Sequence, residues 1–143
     1  MKVLIVGGVA GGATAAARIR RLDETAEITV FERSGYISYA NCGLPYYIGG
    51  VITDPEELTL QTPESFFSRF RINMKVHHEV TAIHPDQKTI SVRNSKTGEE
   101  FEESYDKLIL SPGAKPTQPR IPGVGMEKVF TLRTVEDTFR IKE

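Results

Sequence analysis

The chain begins with a short apolar run that is bounded by glycines. Four aliphatic residues at positions 3–6 follow Lys2 and stop at Gly7 and Gly8. A continuous apolar run of this length is typical of a strand that is buried on both faces of a sheet. We therefore predict a buried strand over residues 2–6.

A helical pattern follows the glycines. Small and aliphatic residues recur at helical spacing over residues 11–22, while Arg18 and Arg21 lie toward the opposite face. The apolar positions of this stripe are Ala13, Ala16, Ala17, Ile19 and Leu22. After a short turn, the apolar residues of 27–32 indicate a second strand. Strand, helix and strand form a β-α-β unit, in which the crossover is right-handed and the two strands are parallel.

Shorter elements are predicted in the middle of the chain. Pro45 suits the first turn of a short helix, which Gly49 and Gly50 would end. Another helix is predicted to start with Thr62 as its N-cap and Pro63 in its first position. Three strands of an antiparallel meander are predicted at residues 73–83, 89–94 and 99–104, with a turn over residues 94–98.

The last part of the chain contains one more predicted strand. It covers residues 108–110 and ends at the turn formed by residues 111–114. Beyond Lys115 the sequence becomes rich in proline, with Pro116, Pro119 and Pro122, as is typical of a linker. Residues 129–143 are polar and are assigned no element. The whole pattern predicts an α/β fold with a parallel sheet, crossover helices and an antiparallel β-meander layer.

Composition narrows the class of partner. The 143 residues are 39% hydrophobic and carry a formal net charge of −1, so nothing attracts the chain as a whole to nucleic acid or an acidic membrane. No stretch approaches the roughly 20 apolar residues of a membrane span. The single cysteine cannot form an internal disulfide. We therefore expect a small-molecule ligand and a cytoplasmic, reducing location.

The glycine-rich turn carries the first functional signal. It stands between a predicted strand and a predicted helix, which is the context of a dinucleotide-binding fingerprint. Gly7 permits the tight turn, Gly12 permits close packing of the helix, and the helix N-terminus offers N–H groups to a pyrophosphate. Val9 stands where the middle glycine of G-x-G-x-x-G is expected. The full turn is Gly7, Gly8, Val9, Ala10, Gly11 and Gly12.

Glu32 is the acidic residue that such a fingerprint has about 20 positions further on. At the end of the second strand it is placed to accept hydrogen bonds from a ribose diol. Its charge would repel a phosphate on that ribose, so an unphosphorylated adenosine ribose is favoured. The alternative is a tight β-α turn that binds nothing, with Glu32 merely solvated. The agreement of strand, glycines, helix and acidic residue favours the dinucleotide.

The single cysteine lies in the segment SYANCGLPYY, which is crowded with aromatic residues. Cys42 falls just before or within the first turn of the predicted short helix, where the reactive thiolate is stabilised. The alternative is a buried, inert cysteine. Tyr47 stands where a second cysteine would complete a local dithiol. Any disulfide of Cys42 therefore involves an outside thiol, or its oxidised state is a sulfenic acid.

Three histidines, His77, His78 and His84, are the remaining candidates for metal binding. Adjacent side chains on a strand point to opposite faces, and the cysteine is far away in sequence. We therefore expect ordinary strand residues and no metal site.

Four segments together resemble a known family. They are the glycine turn at 7–12, FER at 31–33, SYANCGLPYYIGG at 38–50 and YDKLILSPGAKP at 105–116. They resemble the N-terminal FAD-binding region of single-cysteine pyridine nucleotide-disulfide oxidoreductases. Within that family the chain is most similar to coenzyme A-disulfide reductases and to NADH-dependent persulfide reductases that carry a C-terminal rhodanese domain. The resemblance covers nearly the whole chain, and this branch accepts a residue other than glycine at position 9.

The resemblance implies a role for each matching residue. Cys42 would be the catalytic redox thiol facing the isoalloxazine ring. Glu32 and Arg33 would flank the adenosine ribose, and Val80 would contact the adenine through its backbone. The other FAD-binding positions would be the six residues of the glycine turn, Ser38 and Asn41 beside the flavin, and Ser111, Pro112, Gly113 and Ala114 at the end of a strand.

The resemblance also implies a substrate. Thr14, Arg18 and Arg21 on the first helix, together with Ser38 and Asn41, match positions that contact coenzyme A. Position 10 separates branches of the family, because NADH peroxidases and oxidases carry a histidine there. The alanine in this chain favours thiol-disulfide chemistry.

In the implied mechanism, electrons pass from NADH or NADPH through FAD to a mixed disulfide between Cys42 and coenzyme A. The freed thiolate then attacks the next coenzyme A disulfide or persulfide. Two other classes stay open: a peroxide- or oxygen-reducing flavoenzyme, and a non-redox adenine-dinucleotide-binding module.

The domain organisation that the resemblance implies extends beyond 143 residues. Residues 1–114 would be the N-terminal part of the FAD-binding domain, and residues 115–143 an exit linker toward an NAD-binding domain. That domain, a second FAD-contacting segment and a dimerisation domain are not among these residues. We therefore expect the chain alone to be inactive and the full-length protein to be a homodimer.

Overall fold

The computed structural model describes all of residues 1–143. Its strands and helices follow one another as β1 (Lys2–Val6), α1 (Ala10–Leu22), β2 (Glu27–Glu32), α2 (Leu44–Ile48), α3 (Pro63–Phe70), β3 (Asn73–Val76), β4 (His78–His84), β5 (Thr89–Asn94), β6 (Glu100–Ser104), β7 (Lys107–Leu110) and α4 (Val135–Lys142). Two short 3-10 helices, Asn41–Gly43 and Pro55–Leu58, lie between β2 and α3.

Four strands form a parallel sheet in the order β3-β2-β1-β7. The two central strands are those of the predicted β-α-β unit, with Ile5 of β1 beside Val30 of β2. The α1 helix connects them and starts one residue before the predicted boundary. Its last residue, Leu22, is 70% exposed and does not belong to the buried stripe, which is formed by the alanines nearer the N-terminus.

Side chains alternate across the parallel sheet and join it to a layer on each face. Val3 and Ile5 of β1 share a buried cluster with Ala16 of α1. Leu4, between them, points to the other face and packs with Ile90 of β5. Helices therefore cover one face, and the antiparallel sheet β4-β5-β6 covers the other. This arrangement confirms the predicted α/β fold with its parallel sheet, crossover helix and meander layer.

The predicted single strand over residues 73–83 is wrong. It is two strands in two different sheets: β3 pairs in parallel with β2, and β4 pairs antiparallel with β5. His77 separates them with a φ of 58°, a left-handed conformation that ends the extended backbone. His77 is therefore not a strand residue, whereas His78 and His84 are the first and last residues of β4.

The other two meander strands form where they are predicted. β5 pairs antiparallel with β6 across residues 89–104, and the turn between them ends at Gly98, which has a φ of 76°. The third strand starts at Glu100, one residue later than predicted.

The C-terminal residues contain a helix that the sequence pattern does not assign. Thr134 caps α4 in a reciprocal pair with Asp137, whose N–H donates to the threonine hydroxyl oxygen at 3.2 Å. Val135 and Thr138 are fully buried, and Val135 packs in a cluster with Leu58. The helix thus lies against the segment that follows β2. No helix in the chain is both long enough and apolar enough to cross a membrane.

Candidate dinucleotide site and cysteine segment

The glycine turn lies at the carboxyl ends of the parallel strands, where ligands bind in open α/β sheets. Gly7 has a φ of 99°, and a Cβ atom there would lie 2.0 Å from the carbonyl oxygen of Ser111. A Cβ atom on Gly12 would lie 1.7 Å from the carbonyl oxygen of Gly7. Only glycine fits these two positions, because each meets backbone that cannot move away.

The N-terminus of α1 is open toward this edge of the sheet. Its N-cap is Val9, which has no side-chain acceptor, and its first turn contains no acidic residue. The first N–H groups of a helix have no acceptor within the helix and carry the positive end of its dipole. The residues around the turn therefore suit an anion such as a pyrophosphate.

Glu32 is held at the end of β2 by the backbone. One carboxylate oxygen accepts the N–H of Gly8 at 2.8 Å, and the other accepts the N–H of Ser34 at 2.8 Å. The side chain is buried and lines two neighbouring cavities. Each carboxylate oxygen has a second lone pair, so the group keeps acceptor capacity for ligand hydroxyls.

The first cavity, of about 110 Å³, lies between the end of β2 and the start of β4. It brings together five predicted residues: Gly7, Glu32, Arg33, Val80 and, from the turn after β7, Pro112. Its other lining residues are Val6, Phe31, His78 and Glu79.

The second cavity, of about 60 Å³, adjoins the first and shares three of its residues, Glu32, Arg33 and Pro112. It also contains predicted residues from the glycine turn, the cysteine segment and the turn after β7: Val9, Asn41, Ser111, Gly113 and Ala114. The remaining lining residues are Ser34, Tyr39, Arg133 and Thr134.

Several of these lining residues cannot be predicted from the sequence. Arg133 and Thr134 reach the second cavity only because α4 folds back onto the segment after β2. The pair of Thr134 with an acid three residues later is a readable sign of a helix start, but nothing in the sequence says where that helix packs. Tyr39 and His78 are also missed, since each looks like an ordinary core or strand residue.

Cys42 lies on the 3-10 helix Asn41–Gly43, which runs directly into α2. It is exposed, and no other cysteine is present. Its neighbour Asn41 lines the second cavity. The interpretation of Cys42 as a buried, inert residue does not fit this exposure.

Ser38 fixes the start of the cysteine segment. Its N–H donates to the carbonyl oxygen of Gly8 at 3.1 Å, and its own carbonyl oxygen accepts the N–H of Leu60 at 3.1 Å. It has a φ of 47°, an uncommon conformation for a residue with a Cβ atom. Ser38 itself lines neither cavity, and its two backbone hydrogen bonds hold the segment that carries Tyr39 and Asn41, which do line the second one.

The three helix residues predicted to contact substrate lie apart from both cavities. Thr14, Arg18 and Arg21 are exposed on α1. Their spacing of four and three residues places them on one helix face. They begin near the glycine turn and form a polar, basic surface.

The chain belongs to the pyridine nucleotide-disulphide oxidoreductase family, whose model matches residues 1–143. It is 50% identical over 142 residues to a coenzyme A disulfide reductase of Staphylococcus aureus (strain bovine RF122 / ET3-1). That match covers 99% of this chain and 32% of the relative, so the chain spans about a third of the length of the curated relatives it matches.

Solved structures of the family share the fold. The reduced CoADR-RHD of Bacillus anthracis is 56% identical with a TM-score of 0.93, over 99% of this chain and 26% of that one. An NAD-dependent persulfide reductase from A. fulgidus is 37% identical with a TM-score of 0.92, and the match covers 99% of this chain and 26% of that one. A water-forming NADH oxidase from Lactobacillus brevis is 35% identical with a TM-score of 0.90, and the match covers 99% of this chain and 31% of that one.

Proposed function

We propose that this chain is the FAD-binding N-terminal part of a flavoprotein that uses NADH or NADPH to reduce coenzyme A disulfide or persulfide through Cys42. The observation that carries the proposal is the position of Cys42, exposed on a short helix beside Asn41, which lines a cavity together with Glu32 and the turn 111–114. An exposed thiol thus stands next to a residue of the cavity in which we place the cofactor.

The residues of the two cavities fit FAD. The first cavity would take the adenosine, with Glu32 accepting ribose hydroxyls and Val80 beside the base. The open N-terminus of α1 and Arg133 would hold the pyrophosphate, because both offer hydrogen-bond donors and positive charge to an anion. Ser38, Asn41 and the turn 111–114 would lie along the part of the cofactor that leads to Cys42. When bound, FAD supplies the transfer of two electrons from the nicotinamide to a disulfide.

Cys42 would act as the nucleophile. Its thiolate attacks one sulfur of a coenzyme A disulfide, a Cys42–S–S–CoA bond forms, and the other coenzyme A leaves as a thiolate. Two electrons and one proton then convert this mixed disulfide to the Cys42 thiolate and a second coenzyme A thiol. Exposure of the sulfur suits attack on a substrate of this size, and the mixed disulfide would be the oxidised state of Cys42 in this reaction.

The exposed face of α1 would bind the coenzyme A moiety. Arg18 and Arg21 provide two positive charges for its phosphates, and Thr14 provides a hydroxyl near the glycine turn. The net charge of −1 does not oppose this, because local arginines decide the potential at the site.

The remaining functions would lie in parts of the protein outside these residues. We place the NAD-binding site, the completion of the FAD site and the dimer contact there, since the chain matches only 32% of the length of the S. aureus relative. The boundary of the FAD-binding part at residue 114 belongs to the same proposal. A cytoplasmic location suits a thiol that must return to its reduced form.

An oxidase or peroxidase is the second candidate, and the 35% identity to a water-forming NADH oxidase favours it. The alanine at position 10 argues for the disulfide reductase, because the resemblance implies a histidine at this position in the oxidases and peroxidases.

Turnover in the full-length protein tests the proposal. We expect NADH or NADPH consumption that depends on coenzyme A disulfide, and a loss of at least about a hundredfold in the Cys42→Ser variant. The same variant should still bind FAD, because Cys42 lines neither cavity. Consumption that needs only oxygen or peroxide would support the second candidate. FAD binding with no Cys42-dependent turnover would instead indicate a non-redox binding module.

A further inference from the structure

Tyr39 carries a hydroxyl group that its packing does not explain. Its ring lies in an apolar cluster with Leu44, Leu58 and Val135, and the residue is 8% exposed. Phenylalanine would fill the same space without a polar atom. Burying a hydroxyl costs free energy unless it finds a hydrogen-bond partner.

The hydroxyl has one partner in the chain, and that bond is long. It donates to the carbonyl oxygen of Arg133 at 3.4 Å, whereas O–H···O bonds usually measure about 2.7–2.8 Å. Both residues line the second cavity, together with Asn41 and the turn 111–114. A weakly bonded donor, on a residue that is more than nine-tenths buried, therefore stands at the wall of the cavity.

The backbone holds this side chain in place on both sides. The N–H of Leu60 donates to Ser38 at 3.1 Å, and the N–H of Ala40 donates to Leu58 at 2.9 Å, so Tyr39 and Thr59 form an antiparallel bridge. A donor fixed in advance loses little entropy when a ligand binds. Burial and the nearby carboxylate of Glu32 raise the pKa of Tyr39, so the hydroxyl keeps its proton at neutral pH.

We propose that Tyr39 is a cofactor-binding residue whose hydroxyl donates a hydrogen bond to an acceptor oxygen of the bound FAD. This inference rests on the FAD site proposed above. It gives the buried hydroxyl the strong partner that the chain itself does not supply.

Titration of FAD-free full-length protein with FAD tests the proposal, with dissociation followed by flavin fluorescence. The Tyr39→Phe variant should raise the Kd for FAD about five- to tenfold, the effect of one lost hydrogen bond. Tyr47→Phe is the matched control: Tyr47 is 9% exposed in the same cluster but lines neither cavity. Its Kd should change less than twofold.

A Kd for FAD that is unchanged in Tyr39→Phe would overturn the proposal. The unfolding midpoint of the FAD-free variant could fall at the same time. The latter result would assign the hydroxyl to the Arg133 carbonyl alone. Failure of the wild-type protein to bind FAD would instead refute the proposed function, and this inference with it.

A measurement on the wild-type protein does not depend on folding of a variant. Tyrosine ring signals in NMR spectra should show one hydroxyl whose ionisation moves to higher pH when FAD binds. Identical titrations of all tyrosines with and without FAD would contradict the proposal.

Discussion

The backbone N–H of Gly8 donates to a carboxylate oxygen of Glu32 over 2.8 Å. This bond ties the glycine turn to the end of β2. The other oxygen accepts the N–H of Ser34, which lies in the segment that leads from β2 to Cys42. One buried side chain thus sets the position of the turn and of the cysteine segment relative to each other.

Replacing Glu32 by glutamine should weaken both the fold and cofactor binding. An amide has one acceptor oxygen where the carboxylate has two, so one of the two backbone N–H groups would face an NH₂ donor. We expect the free energy of unfolding to fall by about 1–3 kcal/mol, measured by urea denaturation. Glu27→Gln, at an exposed position of the same strand, should change it by less than about 0.5 kcal/mol. Equal effects of the two variants would contradict the role assigned to Glu32.

Replacing Gly12 by alanine should disrupt the start of α1. The new Cβ atom would lie 1.7 Å from the carbonyl oxygen of Gly7, and backbone cannot rotate away as a side chain could. We expect a loss of more than about 2 kcal/mol in the free energy of unfolding, or failure to fold. Gly125→Ala is the control, because no atom lies within 4 Å of its added Cβ. A stable Gly12→Ala protein would show that the helix does not pack this closely on the turn.

The raised pKa of Tyr39 predicts a loss of stability at alkaline pH. Burial, and then the charge of Glu32, disfavour the phenolate in the folded protein. Because the folded protein holds this proton more tightly, the raised pKa contributes to the free energy of unfolding. The contribution is fully present below the ordinary tyrosine pKa of about 10, and it is lost as the pH rises from there through the pKa in the folded protein. Tyr39→Phe should therefore lose less stability than the wild type above about pH 10, as measured by urea denaturation at a series of pH values. Parallel pH profiles for the two proteins would refute this.

The sequence predicts the elements whose patterns are local. The aliphatic run of β1 and the small residues of α1 favour one structure each, and the glycines between them need the tight turn they form. The break at His77 is not predictable in this way, because apolar residues continue on both sides of it. Only the pairing of β3 with β2 and of β4 with β5 makes the left-handed turn necessary.

In the candidate site, too, the residues that belong to local patterns can be predicted and those that depend on long-range packing cannot. Gly7 and Glu32 can be predicted because the spacing of a glycine turn and an acidic residue has a physical reason in dinucleotide binding. Arg133 and Tyr39 cannot, since α4 meets the cysteine segment only in the folded chain. The position of Arg133 depends on the burial of Val135 in one cluster with Leu58, two residues far apart in sequence. That of Tyr39 depends on its bridge to Thr59.

The central claim is tested most directly by the mass of the protein, and of its Cys42-containing peptide, after reaction with coenzyme A disulfide. Full-length protein whose Cys42 has been reduced with a thiol, and from which that reductant has been removed, is treated with coenzyme A disulfide in the absence of NADH and NADPH. Its mass is measured intact and after proteolysis. We predict one coenzyme A attached to Cys42, released by a thiol reductant and absent from Cys42→Ser. A sulfenic acid at Cys42, seen as one added oxygen, or a thiol that coenzyme A disulfide leaves unmodified would contradict the account.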